Sequence, residues 1–522
     1  MSKEFHNNLS TYNPLLVLRG AVITQPVYTE IPQIPQYNNN PLIEALPPIL
    51  DQNQVAEQLI YLPNYEEDQR NLPAHMRLHL IQSALQLFVP LPIHFDLEQR
   101  FSRMLRLGYQ GRNPVQRNFN FWNDINERVE DLAKNTLRLR STTTGFTIVG
   151  ISGVGKTTSV EAILSLYPQV IAHTCYQGKT FNFMQIVWLK LDCPHDGSIK
   201  GLCMNFFQAV DDILGTRYYE NYTSGRPTVD ELLPHMARVA SLHGLGVLVI
   251  DEIQHLSQAK SGGASKMLNF FVQLINTIGL PVVLVGTYKA ISVLSGEFRQ
   301  TRRGTGQGDL VWDRMKKDES WDWFLECLWN YQYTREKCPL TPELNQVLYD
   351  QSQGITDFAV KLYMLAQIHA ITSCEERITP QGISSVAKES LRMAFPILNA
   401  LRTNNLSALS AVEDVHVLQL DPYFEKAQSE LNRKQQIAVL SNTRSAMIKS
   451  TSSTTTRETG LATVHKLDSN RKAKRLKTEN QLTETLPKIA QLGEKDNLNA
   501  YESLKQAGFI RNLLEFLEDR IV

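Results

Sequence analysis

The spacing of apolar residues changes twice along the chain and predicts a sheet-containing core between two helical regions. Before residue 117, apolar positions recur at helical spacing in two runs: Met76, Leu80, Ile81, Leu85 and Leu87, then Leu97, Phe101, Met104 and Leu105. In the middle of the chain they form short continuous runs, at 145–149, 183–191, 246–250 and 281–285. Amphipathic stretches such as 202–214 and 264–278 separate these runs. Continuous apolar strands that alternate with helices predict an α/β core, with a parallel sheet covered on both faces.

These patterns divide the chain into four parts: an N-terminal extension at 1–117, a core at 118–310, an all-helical part at 311–404 and a C-terminal region at 405–522. Within the first part, the proline- and asparagine-rich segment 31–41 predicts an extended, partly ordered arm. Within the last part, residues 441–480 hold nine Lys and Arg against three Asp and Glu, which predicts a disordered basic linker. A last amphipathic helix is predicted at 500–518, and it docks either on a partner or on the body of the chain.

Composition and net charge exclude few classes of function. The chain has 522 residues, and Lys plus Arg equals Asp plus Glu at 53 each, so any basic surface must be local. Six dispersed cysteines without a C-x-x-C pair predict reduced thiols and argue against a zinc site. The N-terminus lacks the apolar stretch of a signal peptide, and no apolar run reaches membrane-spanning length. The pair His75 and His79 lacks a following glutamate, so we interpret it as structural.

The segment 150–157 fits the phosphate-loop pattern G-x-x-x-x-G-K-T, and it follows a predicted strand and precedes a predicted helix. In that context the glycines let backbone N–H groups turn toward phosphate oxygens, and the helix N-terminus favours negative charge. Lys156 can reach the β- and γ-phosphates, and the Thr157 hydroxyl can bind Mg²⁺. The alternative is a glycine turn before an ordinary helix. The predicted ATP-binding residues are Gly150, Ser152, Gly153, Val154, Gly155, Lys156, Thr157 and Thr158.

Two carboxylates and a threonine follow later apolar runs. Asp251 and Glu252 end the run at 246–250, about 95 residues beyond the phosphate loop. Asp251 is placed to hold the Mg²⁺ shell, and Glu252 to act as the base that activates water. Thr287 ends the run at 281–285 and is a candidate sensor of the γ-phosphate or of the attacking water. An ordinary turn threonine is the alternative.

Several basic residues carry candidate roles beyond these strands. A cluster of arginines follows the apolar run at 281–285, namely Arg299, Arg302 and Arg303. These side chains cannot easily reach ATP bound to the same copy of the chain, so one of them is predicted to act on ATP in a neighbouring subunit as an arginine finger. A loop that contacts a phosphate backbone is the alternative. Lys361, in the all-helical part, is a candidate second sensor that binds the nucleotide. A basic segment, with Arg100, Arg103, Arg106, Arg112 and Arg117, is either a solvated helix face or a surface for DNA or a partner.

The order of these elements resembles the AAA+ P-loop ATPases, in which the all-helical part is a lid. Further segments resemble the TnsC family, the ATP-dependent regulators of Tn-seven-like transposons, which are related to TniB and Mu B. Those segments are 40–48, 88–92, 106–114, 150–158, 251–255, 285–290 and 298–304. Thr287 departs from the asparagine that AAA+ proteins often have at the sensor position.

The resemblance implies an ATP-dependent ring or filament of copies of this chain around double-stranded DNA, in a bacterial cytoplasm. It implies a link between a target selector of the TnsD or TniQ type, contacted by the N-terminal extension, and the TnsB transposase. The TnsA endonuclease would bind the C-terminal helix, and ATP hydrolysis would reset the assembly. Lys179, Lys190 and Lys200, on or near turns, are candidate contacts to DNA phosphates. Each is otherwise a solvated surface lysine.

Two other classes of function compete with this one. An origin-binding or helicase-loading ATPase usually carries a winged-helix or helix-turn-helix domain after the lid, and residues 405–522 show no such pattern. A signalling P-loop ATPase that acts on protein partners is expected to carry repeats or an effector domain, and none is visible.

Overall fold

The computed structural model describes residues 23–115, 145–259, 263–293, 308–403, 420 and 422–431. All of them belong to one unit of the chain, Met1–Val439. Outside the described residues lie the predicted linker at 441–480 and the predicted terminal helix at 500–518, together with Arg117, Arg299, Arg302 and Arg303.

Eight strands form two sheets in this part of the chain. Their bounds are Ile23–Thr24 for β1, Phe146–Gly150 for β2, Val170–Tyr176 for β3, Lys179–Ile186 for β4, Trp188–Asp192 for β5, Val247–Asp251 for β6, Val282–Gly286 for β7 and Leu310–Trp312 for β8. The central sheet is parallel throughout, in the order β5-β6-β7-β2-β8. Because the strands run in one direction, Gly150, Asp251 and Gly286 end at the same edge of the sheet.

Helices account for most of the remaining described residues. Their bounds are Pro41–Glu44 for α1, Gln52–Leu59 for α2, Ala74–Ile81 for α3, Pro92–Gln110 for α4, Lys156–Ser165 for α5, Ile199–Leu214 for α6, Tyr218–Thr223 for α7, Val229–Leu242 for α8, Gly263–Gln273 for α9, Ala290–Val293 for α10, Glu319–Trp329 for α11, Pro342–Ser352 for α12, Thr356–Ser373 for α13, Pro380–Ser390 for α14 and Phe395–Arg402 for α15. Residues 422–431 are also helical. No helix among the described residues is long and apolar enough to span a membrane.

Both faces of the central sheet are buried, as its continuous apolar strands predict. Every residue of β2, β6 and β7 is buried, and alternate residues of each strand belong to different hydrophobic clusters. One cluster includes residues of α4 and α5, and the other includes residues of α6, α8 and α9. The predicted parallel α/β core is therefore confirmed.

The single strand predicted at 183–191 is wrong, because the run belongs to two strands in two sheets. Strand β4 pairs with β3 as an antiparallel hairpin, and β5 enters the central sheet beside β6. The hairpin turn is made by Gln177 and Gly178, both with positive φ, at 47° and 76°. Most residues of β4 are partly or fully exposed. All five residues of β5 pair with β6, and Trp188, Leu189 and Leu191 are buried.

The N-terminal extension contacts both the core and the all-helical part. Helix α4 packs on α5, where Tyr167 donates a hydrogen bond to Glu98 at 2.9 Å. Helix α3 packs on α13, and the Arg77 guanidinium binds both carboxylate oxygens of Glu376 at 2.7 and 2.6 Å. This region is therefore placed to couple movements of the core to movements of the helical part.

The basic segment of α4 is not a uniformly solvated face. Arg106 is only 1% exposed and donates to the carbonyls of Ser102 and Pro47. Arg112, just after the helix, donates to the Leu245 carbonyl at 2.6 Å. These two guanidinium groups join N-terminal segments to each other and to the core, so the expectation that they lie on an open face is wrong. A sequence of arginines at helical spacing gives no sign of such backbone partners.

Candidate functional site

The phosphate loop connects β2 to α5 at the carboxyl edge of the central sheet. Its turn depends on Gly155, whose φ of 94° is a conformation that side chains other than glycine rarely adopt. Helix α5 begins at Lys156, which is 8% exposed. The Lys156 ammonium donates to the carbonyls of Gly150 and Ile151, at 3.0 and 2.7 Å. The cation is thus already held inside the loop that a triphosphate would occupy.

Asp251 and Thr157 lie in contact across the site, as their predicted shared role requires. The Thr157 hydroxyl donates to Asp251 Oδ2 at 2.8 Å, and Asp251 Oδ1 accepts the N–H of Glu252 at 2.8 Å. Asp251 is 3% exposed. A hydroxyl and a carboxylate are oxygen ligands that suit Mg²⁺, which usually binds through one or two protein groups together with substrate phosphates. Thr157 and Asp251 would hold such an ion, and no cluster of three or more His, Cys, Asp or Glu residues competes for it in the described ranges.

Lys190 lies in β5 beside β6, and its ammonium is held by carboxylates. It lies 3.2 Å from Glu161 Oε1, 3.2 Å from Asp192 Oδ1 and 3.5 Å from Asp251 Oδ2. Burial lowers the pKa of Lys190, but the three carboxylates outweigh it and raise the pKa above its ordinary value. The lysine therefore stays charged and balances the acidic end of β6. Its expected position on or near a turn is wrong.

A third polar side chain, not singled out from the sequence, joins Glu252 to Thr287. Gln254 donates through Nε2 to the Glu252 carboxylate, and its Oε1 accepts the Thr287 N–H at 3.0 Å. The Thr287 hydroxyl is buried and has no hydrogen-bond partner in the described part of the chain. An unpaired buried hydroxyl at the carboxyl edge fits a group that binds phosphate or water. The signal available in the sequence was the polar pair Gln254 and His255 between the apolar residues Ile253 and Leu256.

The all-helical part contacts the phosphate loop directly. At the start of α13, the Asp357 N–H donates to the Gly153 carbonyl at 3.0 Å. Lys361, one turn further along, lies 2.7 Å from Asp357 Oδ1 and is buried. Burial raises the pKa of Asp357, and the bond from Lys361 partly offsets this. Lys361 is thus close to the loop but paired with Asp357 in this state, and its role as a second sensor stays a prediction.

His94 supports the phosphate-loop helix from the N-terminal side. Its Nδ1 accepts the Leu91 N–H at 2.8 Å, so its Nε2 carries the proton and donates to the Ser159 hydroxyl at 2.9 Å. Burial lowers the pKa of His94 to about 3, which keeps the ring neutral. This buried contact ties α4 to α5, and the sequence pattern gave no indication of it.

The remaining candidates are dispersed. Lys179 is exposed at the start of β4, next to the hairpin turn. Lys200, in the first turn of α6, donates to the Pro227 carbonyl at 2.9 Å. The three candidate finger arginines lie outside the described residues, and their action on a neighbouring subunit stays a prediction.

The family of the core follows from its sequence match. Residues 139–294 match the family model for an AAA domain. This region is an AAA domain. It includes the phosphate loop, Asp251, Glu252, Gln254 and Thr287, and its parallel sheet carries them at one edge. The chain therefore has the AAA+ P-loop fold and is an ATPase, and nucleotide binding follows from the fold.

Solved structures to which parts of the chain are similar include three from microorganisms. The ORC1 protein of Aeropyrum pernix, in complex with DNA, is 15% identical over 60% of this chain and 82% of its own, with a TM-score of 0.34. Cdc6p from Pyrobaculum aerophilum is 17% identical over 62% and 87%, with a TM-score of 0.31. The RuvB branch-migration motor of Thermotoga maritima is 13% identical over 58% and 87%, with a TM-score of 0.29. No curated protein matches the chain significantly.

Proposed function

We propose that this AAA-domain ATPase is a DNA-binding regulator of transposition that assembles in copies on double-stranded DNA when it binds ATP and Mg²⁺. In this function it links a target selector of the TnsD or TniQ type to the TnsB transposase and the TnsA endonuclease. ATP hydrolysis resets the assembly. The assignment to transposition is supported by the TnsC-like segments distributed from residue 40 to residue 304.

The observation that carries the switching part of this function is the contact between the phosphate loop and α13. The Gly153 carbonyl accepts the Asp357 N–H, so a phosphate bound at this loop lies next to the start of the all-helical part. Helix α13 also packs on α3 of the N-terminal extension. A change of nucleotide at the phosphate loop can therefore alter how the core, the all-helical part and the N-terminal extension are arranged. These three regions offer the surfaces to which partners would bind.

Electron microscopy tests the assembly. With a non-hydrolysable ATP analogue and plain duplex DNA, we expect rings or filaments, and we expect none without nucleotide. Assemblies on DNA that do not alter the activity of a TnsB-type transposase would favour an origin-binding or helicase-loading ATPase. The absence of any DNA-bound assembly would favour a signalling ATPase that acts on proteins.

Replacing Lys179 with alanine should weaken ATP-dependent DNA binding nearly equally for all sequences. An exposed lysine that contacts a phosphate releases about one counterion, so the slope of log K against log salt should fall by about 1 per contact. Filter binding over a salt series measures this slope. Lys388→Ala, an exposed lysine on α14, is the matched control and should leave the slope unchanged. Equal slopes for wild type and Lys179→Ala would remove Lys179 from the DNA contact.

Deleting residues 490–522 should leave ATP hydrolysis and DNA assembly intact while abolishing binding of a TnsA-type endonuclease. The predicted amphipathic helix at 500–518 is the segment proposed to dock on that partner. Pull-down with the purified endonuclease, alongside an ATPase assay, measures both properties. Loss of ATPase activity in the shortened chain would mean that the segment belongs to the catalytic body instead.

A further inference from the structure

Gln254 occupies a buried position between the ends of two core strands. It follows Glu252 in a short 3₁₀ helix, Ile253–Gln258, and is 3% exposed. Its Nε2 donates to Glu252 Oε2, and its Oε1 accepts the N–H of Thr287 at 3.0 Å. A backbone N–H can only donate, and an ionised carboxylate can only accept. The orientation of the amide is therefore determined by its two partners, because the amide donates to one and accepts from the other.

The surrounding backbone is shaped to admit this amide. A Cβ added to Gly286, the last residue of β7, would lie 2.8 Å from Gln254 Oε1 and 2.7 Å from Ile253 Cγ2. Any larger residue at this position would push the amide away from the strand. On the other side, Glu252 has a φ of 55°, a conformation that is unusual for glutamate and that recurs at functional sites. The Gln254 amide thus lies between the Glu252 carboxylate and the end of β7 and is hydrogen-bonded on both sides.

The arrangement connects the two groups expected to act on the attacking water. Gln254 donates a hydrogen bond to one carboxylate oxygen of Glu252, so the other oxygen is left to accept a proton from the attacking water. The Glu252 side chain is exposed. The Thr287 hydroxyl is buried without a partner in the described residues, while its backbone is fixed by the same amide. A shift of β7 would thus be transmitted to the carboxylate through a single side chain.

We propose that Gln254 is a positioning residue for ATP hydrolysis, which holds the Glu252 carboxylate at a fixed place relative to Thr287. The inference rests on the ATPase activity of the AAA domain and on the base role of Glu252. It does not depend on DNA or on transposition. Gln254 contacts neither the phosphate loop nor Lys156 in the described hydrogen bonds, so its effect falls on the rate of the chemical step and not on ATP binding.

The first test replaces Gln254 with methionine, which has a similar volume and removes both hydrogen bonds. We expect kcat for ATP to fall about 10- to 100-fold, the effect of losing a hydrogen bond to a charged group, with KM and ATP affinity unchanged. Gln254→Glu keeps an acceptor for Thr287 but places a second carboxylate against Glu252, so its kcat should fall at least as far. Gln258→Met, an exposed glutamine in the same short helix, is the matched control and should match the wild type.

A double-mutant cycle separates positioning from a structural role. Because Gln254 acts through Glu252, adding Gln254→Met to Glu252→Gln should change kcat by no more than about twofold. A structural role would lower kcat by the same factor in both backgrounds, together with the melting temperature and ATP affinity, and would overturn the proposal. Wild-type kcat in Gln254→Met or in Gln254→Glu would also overturn it. Full activity of Glu252→Gln, or no ATP hydrolysis by the wild-type protein with duplex DNA present, would instead refute the base role or the activity beneath it.

Discussion

Replacing Lys156 with alanine is expected to abolish ATP binding and, with it, ATP-dependent DNA binding. The ammonium is the cation inside the phosphate loop, and it lies 2.7 Å from the Ile151 carbonyl at the start of that loop. Its removal takes away the charge-assisted bonds to the β- and γ-phosphates. We expect ATP affinity to fall by at least about 100-fold, which is the scale of losing one well-placed donor to a developing or full negative charge.

Thermal unfolding provides the measurement for Lys156→Ala. A ligand that binds only the folded protein raises its melting temperature by an amount that grows with the logarithm of ligand concentration over Kd, so millimolar ATP with Mg²⁺ should stabilise the wild type strongly and the variant far less. Lys179→Ala is the control, because it should keep the full ATP-induced shift while losing part of its DNA affinity. If Lys156→Ala binds DNA in ATP as tightly as the wild type does, then nucleotide and DNA binding are not coupled.

The residues of this site that could be predicted are those whose role depends on local sequence. The phosphate loop needs a strand, a turn with glycine at positive φ and a helix N-terminus, all within 20 consecutive residues. The position of Asp251 follows from the buried run that precedes it. Its contact with Thr157 was predictable because parallel strands end at one edge of the sheet, and the two side chains lie 2.8 Å apart.

The residues that could not be predicted depend on which strands are neighbours. Lys190 meets Asp251 only because β5 lies next to β6. Gln254 meets Thr287, which is 33 residues away, because the ends of β6 and β7 are adjacent. The β3–β4 hairpin was not predicted, because the run at 183–191 was interpreted as a single strand. An apolar run of that length does not show where the chain passes from one sheet to the other.

The second large effect is expected for Glu252→Gln, which should trap ATP in the site. The variant keeps the size of the side chain, and its own amide oxygen can still accept from Gln254, so the local structure should persist. A neutral amide cannot take a proton from water, and the loss of general base catalysis costs about 10²–10⁴ in rate. ATP affinity, read from the ATP-induced shift in melting temperature, should stay at the wild-type level, because the phosphate loop is unchanged.

The consequence for the proposed function is a change in lifetime on DNA. If hydrolysis resets the assembly, then a protein that binds ATP without hydrolysing it should remain on duplex DNA for as long as a non-hydrolysable analogue holds the wild type there. Competition with excess unlabelled duplex measures the dissociation rate, and wild-type protein in ATP is the reference. Wild-type turnover in Glu252→Gln would remove Glu252 from the base role. Slow hydrolysis combined with fast release would keep the base role and separate hydrolysis from disassembly, since the DNA would then leave before the phosphate bond is broken.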